Sequence, residues 1–271
     1  MFQLGFSSLA CPDYDVDQLI DLATRSGYAG VELRFVRGQV DLTTLEEFSP
    51  AKIGETRRRF SDAGLTVACI DTSVRQNALD EETRAAQQED ARANVQIAVG
   101  LGAKYIRVFG GPIPGSQDRE KTLDAIAVGL GAIAEEAAES GVTAVLESHD
   151  DFSTSGSILD LYRRGASDKL QVLWDTLHTF RHGESPEYTW SQIGHLVKHV
   201  HMKDSYVATP EGFDFAPTGE GTIPLSEIVA VLTRNGYSGF VDFEWEKAWH
   251  PEIEDAEVAV PLFARYMAGV L

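Results

Sequence analysis

Short apolar runs alternate with amphipathic stretches along the whole chain. Gln3–Ser7, Gly30–Leu33, Thr66–Ile70, Tyr105–Phe109, Thr143–Glu147, Gln171–Trp174, Val197–His201 and Phe240–Phe243 are rich in Val, Ile, Leu and aromatic residues, as strands buried on both faces are. Between them the apolar residues take helical spacing. Val16, Leu19, Ile20 and Ala23 follow i, i+3, i+4, i+7, and Leu225, Ile228, Val229 and Leu232 repeat the pattern. Ile126, Leu130 and Ile133 mark another helix, as do Ala93, Ile97 and Leu101. Several units close on helix-Gly-strand, as in Ser26-Gly27-Tyr28 and Asn235-Gly236-Tyr237, where glycine accepts the left-handed conformation that ends a helix. Eight strands, each followed by a helix, predict an α/β fold, a single (β/α)8 TIM barrel. An open doubly wound sheet is the alternative.

The 271 residues suit one such barrel, and no Pro- or Ser-rich linker divides them, so residues 1–271 are expected to form a single domain. Hydrophobic residues make up 43% and charged residues 24%, an ordinary balance for a chain with a substantial core. No stretch approaches a membrane-spanning run, and Met1-Phe2-Gln3-Leu4-Gly5-Phe6 has no basic n-region and reads as the first strand, not as a leader. Cys11 and Cys69 are the only cysteines, too few for a disulfide framework, which points to a reducing cytoplasm. The net charge of -19 disfavours a nucleic-acid partner, because that affinity rests on cations neutralising phosphates. It leaves room for a small ligand held by a local basic spot.

Chemistry concentrates where four of the apolar runs end. Val145-Leu146-Glu147, Val172-Leu173-Trp174-Asp175, Val197-Lys198-His199-Val200-His201 and Val241-Asp242-Phe243-Glu244 place Glu147, Asp175, His201 and Glu244 at the C-terminal tips of consecutive strands. They follow one another about one βα unit apart, the last interval enlarged by the Gly- and Pro-containing stretch from Met202 to Pro224. That stretch and Gly110–Gly115 belong to the βα loops that form barrel active sites. Three carboxylates converging on one point repel unless a cation joins them. An O,O,O,N donor set favours Mn²⁺ first, then Mg²⁺ or Co²⁺, over a thiolate-type structural zinc, although Zn²⁺ also accepts such ligands. The bland alternative is four ordinary polar residues at loop ends.

The strings Glu147-Ser148-His149, Trp174-Asp175-Thr176-Leu177-His178, His201-Met202-Lys203-Asp204 and Phe243-Glu244 resemble the sugar isomerase/epimerase family with a xylose-isomerase-like barrel. That group holds ketose 3-epimerases, hydroxypyruvate isomerase, inosose isomerases and dehydratases, and metal-dependent AP endonucleases. The resemblance spans nearly the whole chain and implies that Glu147, Asp175, His201 and Glu244 are metal ligands. It also implies that Glu147 and Glu244 double as a catalytic acid/base pair on opposite faces of the substrate. The implied activity is that of a metal-dependent isomerase or epimerase of a small sugar, ketose or inositol-type ketone, working by proton transfer through an enediolate. A dehydratase of a keto-inositol or keto-glycoside is the alternative. AP-endonuclease-like hydrolysis fits poorly with 7 histidines and the acidic charge, and a non-catalytic sugar-binding subunit is a further possibility. The implied partner is a small carbohydrate, with a homodimer or homotetramer expected and neither nucleic acid nor membrane.

Several neighbours are candidates for substrate contact. His178 stands three residues after Asp175, on one helical face with it, and resembles the family's substrate-hydroxyl histidine. His149 shares the side of Glu147 if the strand continues. Lys203 could hold a substrate oxygen, although the adjacent Asp204 offers it a salt bridge, the reading the sequence favours. Arg107, inside the fourth strand, would either meet substrate or pair with Glu32 or Asp71. Glu246, Trp245, Trp249 and His250 crowd the exit of the last strand. Gly129-Leu130-Gly131-Ala132-Ile133-Ala134 mimics a dinucleotide loop but lies in a helical pattern, so it is set aside.

Overall fold

The computed structural model describes residues 2–270. Eight parallel strands close a barrel: β1 (Gln3–Ser7), β2 (Gly30–Leu33), β3 (Thr66–Arg75), β4 (Tyr105–Phe109), β5 (Thr143–Glu147), β6 (Gln171–Asp175), β7 (Val197–Met202) and β10 (Phe240–Phe243). β10 pairs with β1 and β7 and completes the ring. The main helices on its outside are α1 (Val16–Ser26), α2 (Ile53–Asp62), α3 (Glu81–Leu101), α4 (Arg119–Glu139), α5 (Ser155–Arg163), α7 (Pro186–Ile193), α8 (Leu225–Arg234) and α9 (Ala256–Val270). A short helix, α6 (Thr176–Arg181), starts directly from the tip of β6. No described helix is long and apolar enough to cross a membrane.

The local signals act as their chemistry dictates. Asp15 and Gln18 form a reciprocal capping box at the start of α1, and Gly27, at φ 79°, ends the helix in the left-handed region. The mimic of a dinucleotide loop lies within α4. Two stretches depart from the sequence reading. β3 continues past Ile70 to Arg75, through a register shift against β4. The Met202–Pro224 stretch contains an antiparallel hairpin, β8 (Asp204–Thr209) and β9 (Gly212–Ala216), where a loop was expected.

Inside the barrel the two-residue period of each strand sorts the side chains into layers. Cys69, Val145 and Leu173 form an apolar plug, with Tyr105 packed against it. Two residues further along the same strands stand Asp71, Glu147 and Asp175, all buried. The apolar layer gives way to a charged one at the C-terminal end of the strands, where barrel active sites are built.

Candidate metal centre

Glu147, Asp175, His201 and Glu244 each offer one ligand atom, and these atoms all lie within 4.8 Å of one another. All four side chains are buried. Strand register produces the convergence: Asp175 pairs with His201, and Asp242, two residues before Glu244, pairs with His201 from the other side. His201 Nδ1 faces Glu244 Oε1 at 3.2 Å and Glu147 Oε1 at 3.7 Å. It makes no hydrogen bond with either. A buried ring nitrogen without a hydrogen bond, between carboxylate oxygens, fits a divalent cation.

In three of the four residues, neighbouring charges and burial together set the ionisation. Burial pulls the His201 imidazole down, but Glu244 and Glu32 outweigh it and hold the ring well above its usual range. Burial lifts Glu147, yet Arg107 and His201 bring its carboxyl down to about 2. Burial and the facing Glu244 and Glu147 raise Asp175 to about 6 against the pull of Lys203. Asp175 has a second task, because its Oδ1 accepts from the backbone N–H of Leu177 at 2.9 Å and of His178 at 3.3 Å and so caps α6.

The remaining candidates fall into three groups. Lys203 does not pair with Asp204, contrary to the sequence reading. Its buried ammonium contacts Asp175 Oδ2 at 2.7 Å, Glu246 Oε1 at 2.8 Å and Glu244 Oε2. Lys203 stands in the one-residue gap between β7 and β8, with its side chain buried against these carboxylates. Asp204 instead accepts backbone N–H groups of Ser205, Gly219, Gly221 and Ile223. Arg107 is buried between Glu147 and Asp71, the latter at 3.6 Å. Its expected partner Glu32 turns to His201 and His199. His178 and His149 form a pair beside these four residues, ring centroids 4.5 Å apart, and together with Glu147 they gather another group of ligand-type atoms. Both ring nitrogens of the buried His178 lack hydrogen-bond partners. Phe213 of the hairpin lies against its ring at 5.7 Å.

At the exit of β10, Trp245 is core: it stacks on Phe243 and donates to the Glu254 carbonyl. Trp249 is exposed against Phe35, and His250 packs on Phe215. Burial pushes the thiols of Cys11 and Cys69 up, away from nucleophilic use. Sequence reasoning missed the roles of Glu32 and His199. The pattern His199-x-His201 on a strand was the available signal, since it sets both rings on one face.

A closed parallel barrel with carboxylates and an imidazole gathered at its C-terminal mouth defines a class of barrels suited to metal binding. The chain belongs to the xylose isomerase-like TIM barrel family, which it matches over residues 20–265. It is similar to an inosose dehydratase of Lacticaseibacillus casei, 25% identical over 259 residues that cover 85% of this chain and 82% of the relative. Among solved structures it is similar to an IolI protein with a bound zinc atom, with a TM-score of 0.83, 17% identity, and 99% and 98% of the two chains covered. It is also similar to L-ribulose 3-epimerase, with a TM-score of 0.80, 18% identity, and 100% and 94% covered. At these identities the structural likenesses speak to the fold.

Proposed function

We propose that the chain is a divalent-metal-dependent enzyme that moves a proton at the carbon beside the carbonyl of a small ketose or inositol-type ketone, as an isomerase or epimerase. The observation that carries this reading is the meeting of Glu147 and Glu244 at His201 Nδ1, with Asp175 completing the ligand set. A metal held by these four residues would supply the electrophile that polarises the carbonyl. The protein supplies the rest. Arg107 keeps Glu147 ionised, and Lys203 and His201 keep Glu244 ionised against the cost of burial. Each carboxylate can therefore accept a proton from the substrate carbon. Two carboxylates on one substrate allow removal by one and return by the other, which inverts the centre. His178, buried and unpartnered on both nitrogens, is placed to hydrogen-bond a substrate hydroxyl.

A second reading, a dehydratase, draws on the relatives named inosose dehydratase and on one feature of the site. Burial lowers His149, but Asp150, 3.1 Å away, outweighs it and holds the ring above its usual range. A protonated imidazole beside Glu147 can give its proton to a departing β-hydroxyl. The deciding experiment loads the protein with Mn²⁺ in D₂O and follows candidate ketoses and inososes by NMR. Deuterium at the α-carbon of a product that has kept all its oxygens supports the isomerase, and loss of water supports the dehydratase. Absence of exchange and of turnover with every substrate, at full metal loading, would sink both.

A further inference from the structure

The metal ligand His201 does not stand alone. Its other ring nitrogen, Nε2, lies 2.9 Å from Glu32 Oε2. The same oxygen meets His199 Nε2 at 3.0 Å, and that nitrogen also faces Asp242 Oδ2 at 3.1 Å. All four side chains have no solvent exposure. Glu32 belongs to β2, which is separated from β7 by β1 and β10, so its carboxylate reaches across the barrel interior. Space is cleared for the far end. Gly5 pairs with Asp242 in the register of β1 and β10, and a Cβ on Gly5 would lie 2.1 Å from Asp242 Oδ1.

Burying two carboxylates and two imidazoles is costly, and apolar residues of similar size generally serve stability as well or better. Elsewhere the barrel interior shows that choice, with Cys69, Val145 and Leu173. A purpose for the polar layer follows from what a metal-bound imidazole needs. One nitrogen must point at the ion, and the ring is held in that orientation, and made a stronger donor, when the other N–H is given to a carboxylate. Glu32 stands where that carboxylate belongs. His199 then holds Glu32, and Asp242 holds His199.

We infer that Glu32, His199 and Asp242 are positioning residues that aim His201 Nδ1 at the metal, with Glu32 acting directly and the other two through it. The inference rests on the metal reading above and adds residues to it that touch neither metal nor substrate. The test uses the full chain stripped with a chelator, titrated with Mn²⁺ by calorimetry and with Co²⁺ by visible absorbance. Glu32→Ala should weaken Mn²⁺ binding by about 10–100-fold. Glu32→Gln, which can still accept from Nε2, should recover part of that loss. Both should alter the Co²⁺ spectrum, which a merely structural role would leave alone. His199→Gln should show a smaller loss in the same direction and reads the network if Glu32→Ala does not fold. Wild-type affinity and an unaltered Co²⁺ spectrum in the folded Glu32 and His199 variants would overturn the inference. Failure of the wild-type chain to take up either ion would instead remove the metal reading itself.

Discussion

Lys203 Nζ lies 2.7 Å from Asp175 Oδ2, so the chain sets one of its own cations against a carboxylate of the proposed ligand set. The same ammonium contacts Glu244 and Glu246, and it is buried. Without a metal, Lys203 is a main counter-charge for Asp175 and Glu244. Lys203→Met should therefore destabilise the metal-free protein by about 3–5 kcal/mol, the usual cost of stranding buried charges. Added Mn²⁺ should restore part of that loss. Thermal melts with and without Mn²⁺ check this: the metal-induced rise should be larger in the variant than in wild type. Equal rises would show that Lys203 and the metal do not share the same carboxylates.

Asp175 carries two roles that substitution can separate. Its Oδ1 caps α6 through Leu177 and His178, while Oδ2 faces Lys203. Asn is as good a cap as Asp but a poor ligand for a hard cation. Asp175→Asn should keep the helix cap yet lose most metal uptake, measured by equilibrium dialysis. Asp175→Ala should lose the metal as well and cost about 1 kcal/mol more for the missing cap.

Much of the barrel was legible because both of its signals are local. The period of two and the period of 3.6 are written in adjacent residues, and seven of the eight expected strands begin and end where the structure has them or within one residue. β3 ran long because Thr72-Ser73-Val74 carries no turn signal, and the expectation stopped at the end of the apolar run. The hairpin was hidden because Pro210 and Gly212 read as loop residues, whereas Pro210-Glu211 is its turn and Gly212 pairs with Thr209, with Val207 and Ala208 pairing against Asp214 and Phe213. At the candidate metal centre the tip residues were visible, since each ends its own strand. Their partners were not. Lys203 meets Asp175 at the end of β6 and Glu244 and Glu246 after β10, and Glu32 reaches His201 across the barrel. Such contacts depend on closure of the ring, which no local pattern encodes. Proximity in sequence misled once, at Lys203 and Asp204, whose side chains turn to different partners.

Asp71 gives a pH signature away from the ligand set. Its carboxylate oxygens are buried without hydrogen bonds, and Arg107 stands 3.6 Å off. Burial raises its carboxyl well above the usual range, with Arg107 opposing and Glu32 reinforcing. An acid whose folded pKa is raised keeps its proton in the native state while the unfolded chain releases it above about pH 4. The native state then binds more protons, so this group's contribution to stability falls as pH rises from there towards the raised value. Asp71→Asn removes the titration while keeping the shape. Relative to wild type, the variant should gain stability between pH 4 and 7 in urea unfolding. A wild-type-to-variant difference that stays flat across that window would show that Asp71 is ionised in the fold.

Asp204 sets the position of the hairpin over the candidate site, and its removal should loosen that cover without touching the four proposed ligands. Oδ1 accepts from Ser205 N at 2.9 Å and Ile223 N at 3.3 Å, and Oδ2 from Gly219 N at 2.9 Å and Gly221 N at 3.1 Å. The side chain is buried, so these donors have no water to turn to when the carboxylate is deleted. Gly221 is fitted to the carboxylate, because a Cβ there would lie 2.1 Å from Asp204 Oδ1. Phe213 and Phe215 of the hairpin rest on His178 and Trp245, so a loosened hairpin uncovers the His178 side of the candidate site. Asp204→Ala should cost about 1–3 kcal/mol for donors left unpaired. Gly221→Ala should act in the same direction by displacing the carboxylate. Both should speed cleavage after Glu211 by a glutamate-specific protease and raise KM more than they lower kcat on whichever ketone the exchange experiment identifies. Mn²⁺ affinity should stay near wild type. A fall in metal affinity as large as that of Asp175→Asn would mean that the hairpin helps build the metal centre as well as cover it.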